Sequence, residues 1–140
     1  MTHDAIVVGG SFAGLSAAMQ LARARRDVLV VDAGLPRNRF ADASHGFLGQ
    51  DGKAPFDILR EARRQLGAYP TVSFVEGEAR DAGAEDGGFS VALNDGRTVR
   101  GRRLVLATGV ADQLPDITGL KARWGATVLH CPYCHGYEAR

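Results

Sequence analysis

The sequence predicts an α/β chain: a parallel sheet begun by a strand-helix-strand unit, with a small antiparallel β hairpin or meander attached. A four-residue apolar run, Ala5-Ile6-Val7-Val8, ends in glycines. Apolar residues then recur at helical spacing, and a second apolar run, Val28-Leu29-Val30-Val31, follows and ends in Asp32. Further on, Asp95-Gly96 between two β-rich stretches is a strong hairpin signal.

Ala5 to Val8 suits a buried parallel strand because it is continuously apolar rather than alternating. A helix follows, since Leu15, Ala18, Met19 and Ala22 fall on one face while Gln20, Arg23 and Arg25 take the other. Asp27 breaks that pattern, and Val28 to Asp32 supplies the second buried strand of a βαβ unit, right-handed in nearly every known case. From Ala33 to Lys53 the chain is rich in Gly, Asn, Asp and Arg, and loops of that length are usually functional. Pro55 to Leu66 predicts a helix, with proline in its first turn and Gly67 just past its end. Thr71 to Glu76 is the next strand, and Ala82 to Gly88 reads as a loop with glycine and acidic residues. Phe89 to Leu93 and Thr98 to Arg100 flank the Asn94-Asp95-Gly96-Arg97 turn. Leu104-Val105-Leu106 reads as a last buried strand ending in Ala107-Thr108-Gly109.

At 140 residues, 45% hydrophobic and 24% charged, the chain has the make-up of one ordinary soluble domain. Its formal charge of +1, with both signs interspersed, gives no footprint for nucleic acid or an anionic membrane. No apolar stretch approaches the roughly 20 residues that cross a bilayer. The N-terminus carries no basic segment or small-residue cleavage site, which predicts a cytoplasmic protein. Two cysteines, Cys131 and Cys134, are too few for a disulfide framework, so chemistry is the expected reason for them.

Gly9-Gly10-Ser11-Phe12-Ala13-Gly14 lies where the first strand hands over to the helix, the place of a dinucleotide-binding turn in a Rossmann-like fold. Gly9 permits the tight turn and Gly14 close helix-strand packing, while the helix N-terminus offers amides and a positive dipole end to a pyrophosphate. Asp32 stands near the expected place for a carboxylate that accepts ribose hydroxyls. Ser11 replaces the usual middle glycine, so its side chain must point away or bond the phosphate itself.

Cys131-Pro132-Tyr133-Cys134 has the gap that lets two sulfurs meet in a disulfide at the start of a helix, where the dipole favours thiolate. Such a pair can run a two-electron relay, one thiolate attacking and the other resolving. Three other readings stand beside it. Cys-x-x-Cys-His is also the c-type haem attachment pattern, which requires an exported protein. His130, Cys131, Cys134 and His135 offer zinc donors, although neighbouring residues rarely all reach one tetrahedral ion, and no metal site is assigned. The cysteines could also be inert core residues.

The glycine turn, the Pro36-Arg37-Asn38-Arg39-Phe40 loop, His45-Gly46-Phe47-Leu48-Gly49-Gln50-Asp51-Gly52, Ala107-Thr108-Gly109 and Cys131-Pro132-Tyr133-Cys134 occur in this order. This ordered set resembles the low-molecular-weight thioredoxin reductase family, in its branch with a Cys-Pro-Tyr-Cys-His-Gly-Tyr-Glu segment, across essentially the whole chain. The resemblance implies FAD as cofactor and NAD(P)H as electron donor to the full-length protein. It implies that Gly9, Ser11, Phe12, Ala13 and Gly14 cradle the pyrophosphate and Asp32 meets the ribose. Asn38 and His45 would line the flavin side, Ala79 would offer backbone bonds to adenine, and Ala107, Thr108 and Gly109 would pass close to the flavin-bearing end.

Among the catalytic residues, Cys134 would face the isoalloxazine and Cys131 the substrate disulfide. His135 stands where classical members carry an Asp that protonates the leaving thiolate; an imidazole can transfer that proton or act as a base. The same Cys-His variation resembles flavin dithiol oxidases, which use oxygen and form disulfides. The implied partner is a disulfide or dithiol substrate, a thioredoxin-like protein among the candidates, and the implied assembly is a homodimer. Residues 1–115 would form the N-terminal part of an FAD-binding domain, and 116–140 the crossover into a second, NAD(P)-binding and redox-disulfide domain. That second domain's glycine fingerprint and the family's later Gly-Asp segment are not in this sequence. The expectation is therefore a fragment of a chain about twice as long, with doubtful turnover alone; a non-catalytic FAD-binding module is the remaining alternative.

Overall fold

The computed structural model describes residues 1–138, which form two compact units. The first comprises Met1–Leu35 with Glu61–Gly109; the second comprises Pro36–Arg60 with the chain from Val110 onward. The α/β class, the parallel sheet and the added antiparallel meander are all present in the first unit.

Strand β1 (Thr2–His3) leads into β2 (Ala5–Val8), helix α1 (Phe12–Arg23) and β3 (Val28–Asp32). Helix α2 (Pro55–Leu66) is followed by β4 (Val72–Glu76), β5 (Ala79–Glu85), β6 (Gly88–Leu93), β7 (Thr98–Gly101) and β8 (Leu104–Leu106). Four parallel strands make one sheet in the order β4-β3-β2-β8, with Ile6 opposite both Leu29 and Leu104. The apolar runs of β2 and β3 are buried because both of their edges and both faces are covered: Ala5 to Val8 and Val28 to Val31 are at most 8% exposed.

Alternation along these strands divides the core. Ile6, Val8, Leu29 and Val31 meet Val91 and Leu93 of β6, with Val75, Ala79, Val99 and Leu104 at the margin. Val7 points to the other face, where α1 approaches it at Gly14. The second sheet, in the order β1-β7-β6-β5, is antiparallel through β5, β6 and β7, with β1 added in parallel. The β6–β7 turn closes through Gly96 at φ 86°, and Asp95 accepts the Arg97 amide at 3.0 Å.

Two sequence expectations are corrected. Most of Ala82 to Gly88 is strand rather than loop: β5 pairs with β6 from Ala79 to Glu85, leaving only Asp86 and Gly87 as the turn. It carries no apolar signature because it is an edge strand, held by its ladder to β6. Leu104 to Leu106 is a strand as expected, but not a buried one; it is the sheet's edge among the described residues, and Leu106 is 69% exposed.

In the second unit, the segment from Pro36 to Lys53 is built of turns, followed by the first part of α2. Beyond Val110 come two short helices, α3 (Leu120–Arg123) and α4 (Pro132–His135). Among the described residues, no helix is long and apolar enough to cross a membrane.

Candidate functional site

The first unit gathers its candidate residues at the carboxyl edge of the parallel sheet, where α/β folds bind their ligands. Gly9 leaves β2 at φ 109°, and a β-carbon there would overlap the Ala107 carbonyl. At Gly14 a β-carbon would overlap the Gly9 carbonyl, so α1 can approach the turn only with glycine in its first turn. Ala107 also donates its amide to the Val8 carbonyl at 2.8 Å, tying the Ala107-Thr108-Gly109 end to the turn. Thr108 and Gly109 are exposed.

Ser11 is the N-cap of α1 in an extended conformation, and its hydroxyl makes no cap hydrogen bond. Its carbonyl accepts the Leu15 amide at 2.9 Å, which starts the helix behind Phe12 and Ala13. The first turn holds no acidic side chain, so nothing there opposes an anion at the positive end of α1. A floor closed to β-carbons, an uncapped turn and a helix terminus together fit a pyrophosphate.

Asp32 ends β3 and is 17% exposed in its side chain. Its Oδ1 accepts the Gly10 amide at 3.2 Å and its Oδ2 accepts Arg63 Nη2 from α2. Neither Gly10 nor Arg63 stood out in the sequence as a site residue. The doubled glycine was a signal for the first; a β-carbon at Gly10 would lie 2.6 Å from Asp32 Cβ. Nothing marked Arg63, which as a cation in the last turn of a helix reads as an ordinary partner of the helix dipole. Ala79 opens β5 opposite Leu93, two residues past Gly77, whose amide bonds the Asp32 carbonyl at 3.0 Å.

In the second unit the disulfide expected of the Cys-x-x-Cys spacing is present, joining Cys131 and Cys134 with their α-carbons 5.3 Å apart. Pro132 starts α4 and Cys131 caps it, its Sγ accepting the Cys134 amide at 3.1 Å. That donor would stabilise a Cys131 thiolate once the bond opens. His135 ends α4, its ring in a T-shaped arrangement with that of His130 with centroids 6.3 Å apart, and His130 stacks on Trp124 at 5.6 Å. The His130 Nδ1 is buried with no hydrogen-bond partner among the described residues.

A cavity of about 460 Å³ in this unit is lined by Phe40, Asp42, His45, Leu129, His135 and Glu138, among others. It brings together His45 and His135 of the expected site. His45 stands 3.6 Å from Glu138 Oε1 and 3.7 Å from Asp51 Oδ1, and Asp51 in turn holds the Gly46 amide. Asn38 sits half-buried in the preceding turn and does not line the cavity; its carbonyl accepts the Ala41 amide at 3.1 Å. Arg37 clamps Asp112 through two hydrogen bonds of 2.9 and 2.6 Å, which hold the Asp112 carboxyl below the usual carboxylate range.

A family described as pyridine nucleotide-disulphide oxidoreductase matches residues 3–139. The oxidoreductase from Agrobacterium tumefaciens is 60% identical in sequence with a TM-score of 0.94, over 99% of this chain and 47% of that one. The putative thioredoxin reductase TrxB from Bacillus anthracis is 31% identical with a TM-score of 0.93, over 98% of this chain and 46% of that one. Thioredoxin reductase tcpT from Claviceps purpurea is 41% identical over 98% of this chain and 44% of its own. The chain thus spans less than half the length of these relatives.

Proposed function

This chain belongs to the pyridine nucleotide-disulphide oxidoreductase family, and on that premise we propose that it carries the FAD-holding part and the redox cysteines of an NAD(P)H-linked disulfide reductase. The observation that supports this best is the pairing, in one chain, of a β-carbon-free turn at the carboxyl edge of a parallel sheet with the Cys131–Cys134 disulfide. Residues 1–115 supply the FAD-binding portion and 116–140 begin the redox and NAD(P)-binding portion.

Gly9, Ser11, Phe12, Ala13 and Gly14 hold the pyrophosphate, Asp32 the ribose and Ala79 the adenine. Asn38, His45, Ala107, Thr108 and Gly109 serve the flavin-bearing end. When bound, FAD supplies two-electron chemistry drawn from NAD(P)H. The Cys131–Cys134 disulfide takes up two electrons and two protons to become a dithiol. The Cys131 thiolate, helped by the Cys134 amide, then attacks a partner disulfide; a mixed disulfide forms, the partner's bond breaks, and its leaving thiolate is protonated by His135. Cys134 attacks Cys131 Sγ, releases the second partner thiol and restores the internal disulfide. The partner is a disulfide, a thioredoxin-like protein among them, and the working assembly is a cytoplasmic homodimer.

A second reading, a flavin dithiol oxidase using oxygen, is favoured by His135 directly after Cys134 and beside His130, since imidazoles can draw protons from an incoming dithiol. FAD titration tests the cofactor assignment: the chain should turn yellow and release flavin on denaturation. Protein that gains no absorbance with FAD overturns it. Oxygen uptake with a dithiol, independent of nicotinamide, would select the oxidase.

A further inference from the structure

We propose that Arg63 is a positioning residue for the adenosine ribose, fixing the Asp32 carboxylate so that its remaining lone pairs face the sugar hydroxyls. This rests on the nucleotide-holding role proposed above. A carboxylate offers about four acceptor positions. At Asp32 the Gly10 amide occupies one on Oδ1 and Arg63 Nη2 one on Oδ2, so both oxygens are anchored and each keeps capacity for a vicinal hydroxyl.

Arg63 is itself held. Its stem rises from the last turn of α2, its guanidinium lies over the Phe74 ring at 5.3 Å, and the side chain is 33% exposed. Phe74 sits on β4, the neighbour of β3, so the cation is braced by the same sheet that carries Asp32. Without Arg63, the carboxylate would keep one amide donor and be free to rotate about its own side chain. A fixed acceptor loses less freedom when the ribose docks, which is where preorganisation gains affinity.

A merely structural tie between α2 and β3 would weaken every nucleotide alike, whereas a positioning role is read specifically at the ribose. The test is calorimetry of the chain with ADP and with 2′-deoxy-ADP. The unsubstituted chain should prefer ADP by roughly tenfold, the scale of one hydrogen bond to a charged group. Arg63→Met should bring the preference down to about twofold, and Arg63→Lys, which keeps the cation but loses the planar group lying over Phe74, should fall between the two. If Arg63→Met fails to fold by circular dichroism, Arg63→Gln decides, with an expected loss of at least about threefold in the preference. The proposal is overturned if the unsubstituted chain shows no preference, or if the folded variant keeps it while binding both nucleotides equally more weakly. A chain that binds neither ADP nor FAD overturns the nucleotide-holding role itself.

Discussion

Arg25 closes α1 in a conformation that glycine usually takes. Its φ of 58° is the one positive value at a non-glycine among the described residues, and it serves a two-bond helix ending, with the Arg25 amide on Ala22 and the Arg26 amide on Leu21. A side chain in that region is sterically penalised. Arg25→Gly should therefore stabilise the chain by about 0.5–1 kcal/mol, after allowing for the looser unfolded state. A urea transition whose midpoint stays put or falls would refute this. Gly14 works in the opposite direction: the atom in its way is a backbone carbonyl that cannot turn aside. Gly14→Ala should cost about 1–3 kcal/mol and abolish flavin uptake together, measured by thermal melting and FAD titration; a variant that still turns yellow would remove the turn from the site. Gly9 and Gly14 were legible because close approach leaves glycine no substitute. Arg63 was not, because its role comes from a neighbour on β3 that sequence spacing does not reveal.

At the scale of elements, the strands that read clearly were those buried on both faces. Val28 to Val31 announces itself by continuous burial, whereas β5 has six of its seven residues exposed and announces nothing. Its register comes from β6, whose Val91 and Leu93 are buried in the core. Val91→Ala should accordingly cost about 1–3 kcal/mol, from lost apolar burial and an unfilled space, seen as a lower melting temperature. The Arg37–Asp112 clamp couples two segments far apart in sequence, and no periodicity marks it. The Arg37 hydrogen bonds lower the Asp112 carboxyl below its unfolded value. Its contribution is therefore complete above the ordinary carboxylate range and disappears as pH falls through the lowered folded value. A chemical-shift titration of Asp112 should show a midpoint below the ordinary aspartate value, moving upward in Arg37→Gln; an unmoved midpoint would disprove the cause assigned here.

At the scale of the whole molecule, the residues proposed for the chemistry are drawn from both units, Asn38 and His45 of the flavin-bearing end lying in the second with the cysteines. The turn, Asp32 and Ala107 belong to the first; Cys131, Cys134 and His135 belong to the second. The disulfide closes within four consecutive residues and is framed by its own helix cap. The glycine turn is packed against Ala107, Asp32 and Val7 of its own unit. Two variants should therefore fail in complementary ways. Cys134→Ser should remove the internal disulfide and halt turnover at a trapped mixed disulfide between Cys131 and the partner, while leaving FAD affinity within about twofold, because Cys134 is no part of the glycine turn. Gly14→Ala should lose FAD yet still form the Cys131–Cys134 disulfide on mild oxidation, counted as two thiols disappearing from a colorimetric titration. If Cys134→Ser loses flavin as well, the two parts share structure that neither builds alone. If it keeps flavin and its Cys131 forms no mixed disulfide with a partner, the cysteines are not the relay, and the chain is a nucleotide-binding module whose disulfide is structural.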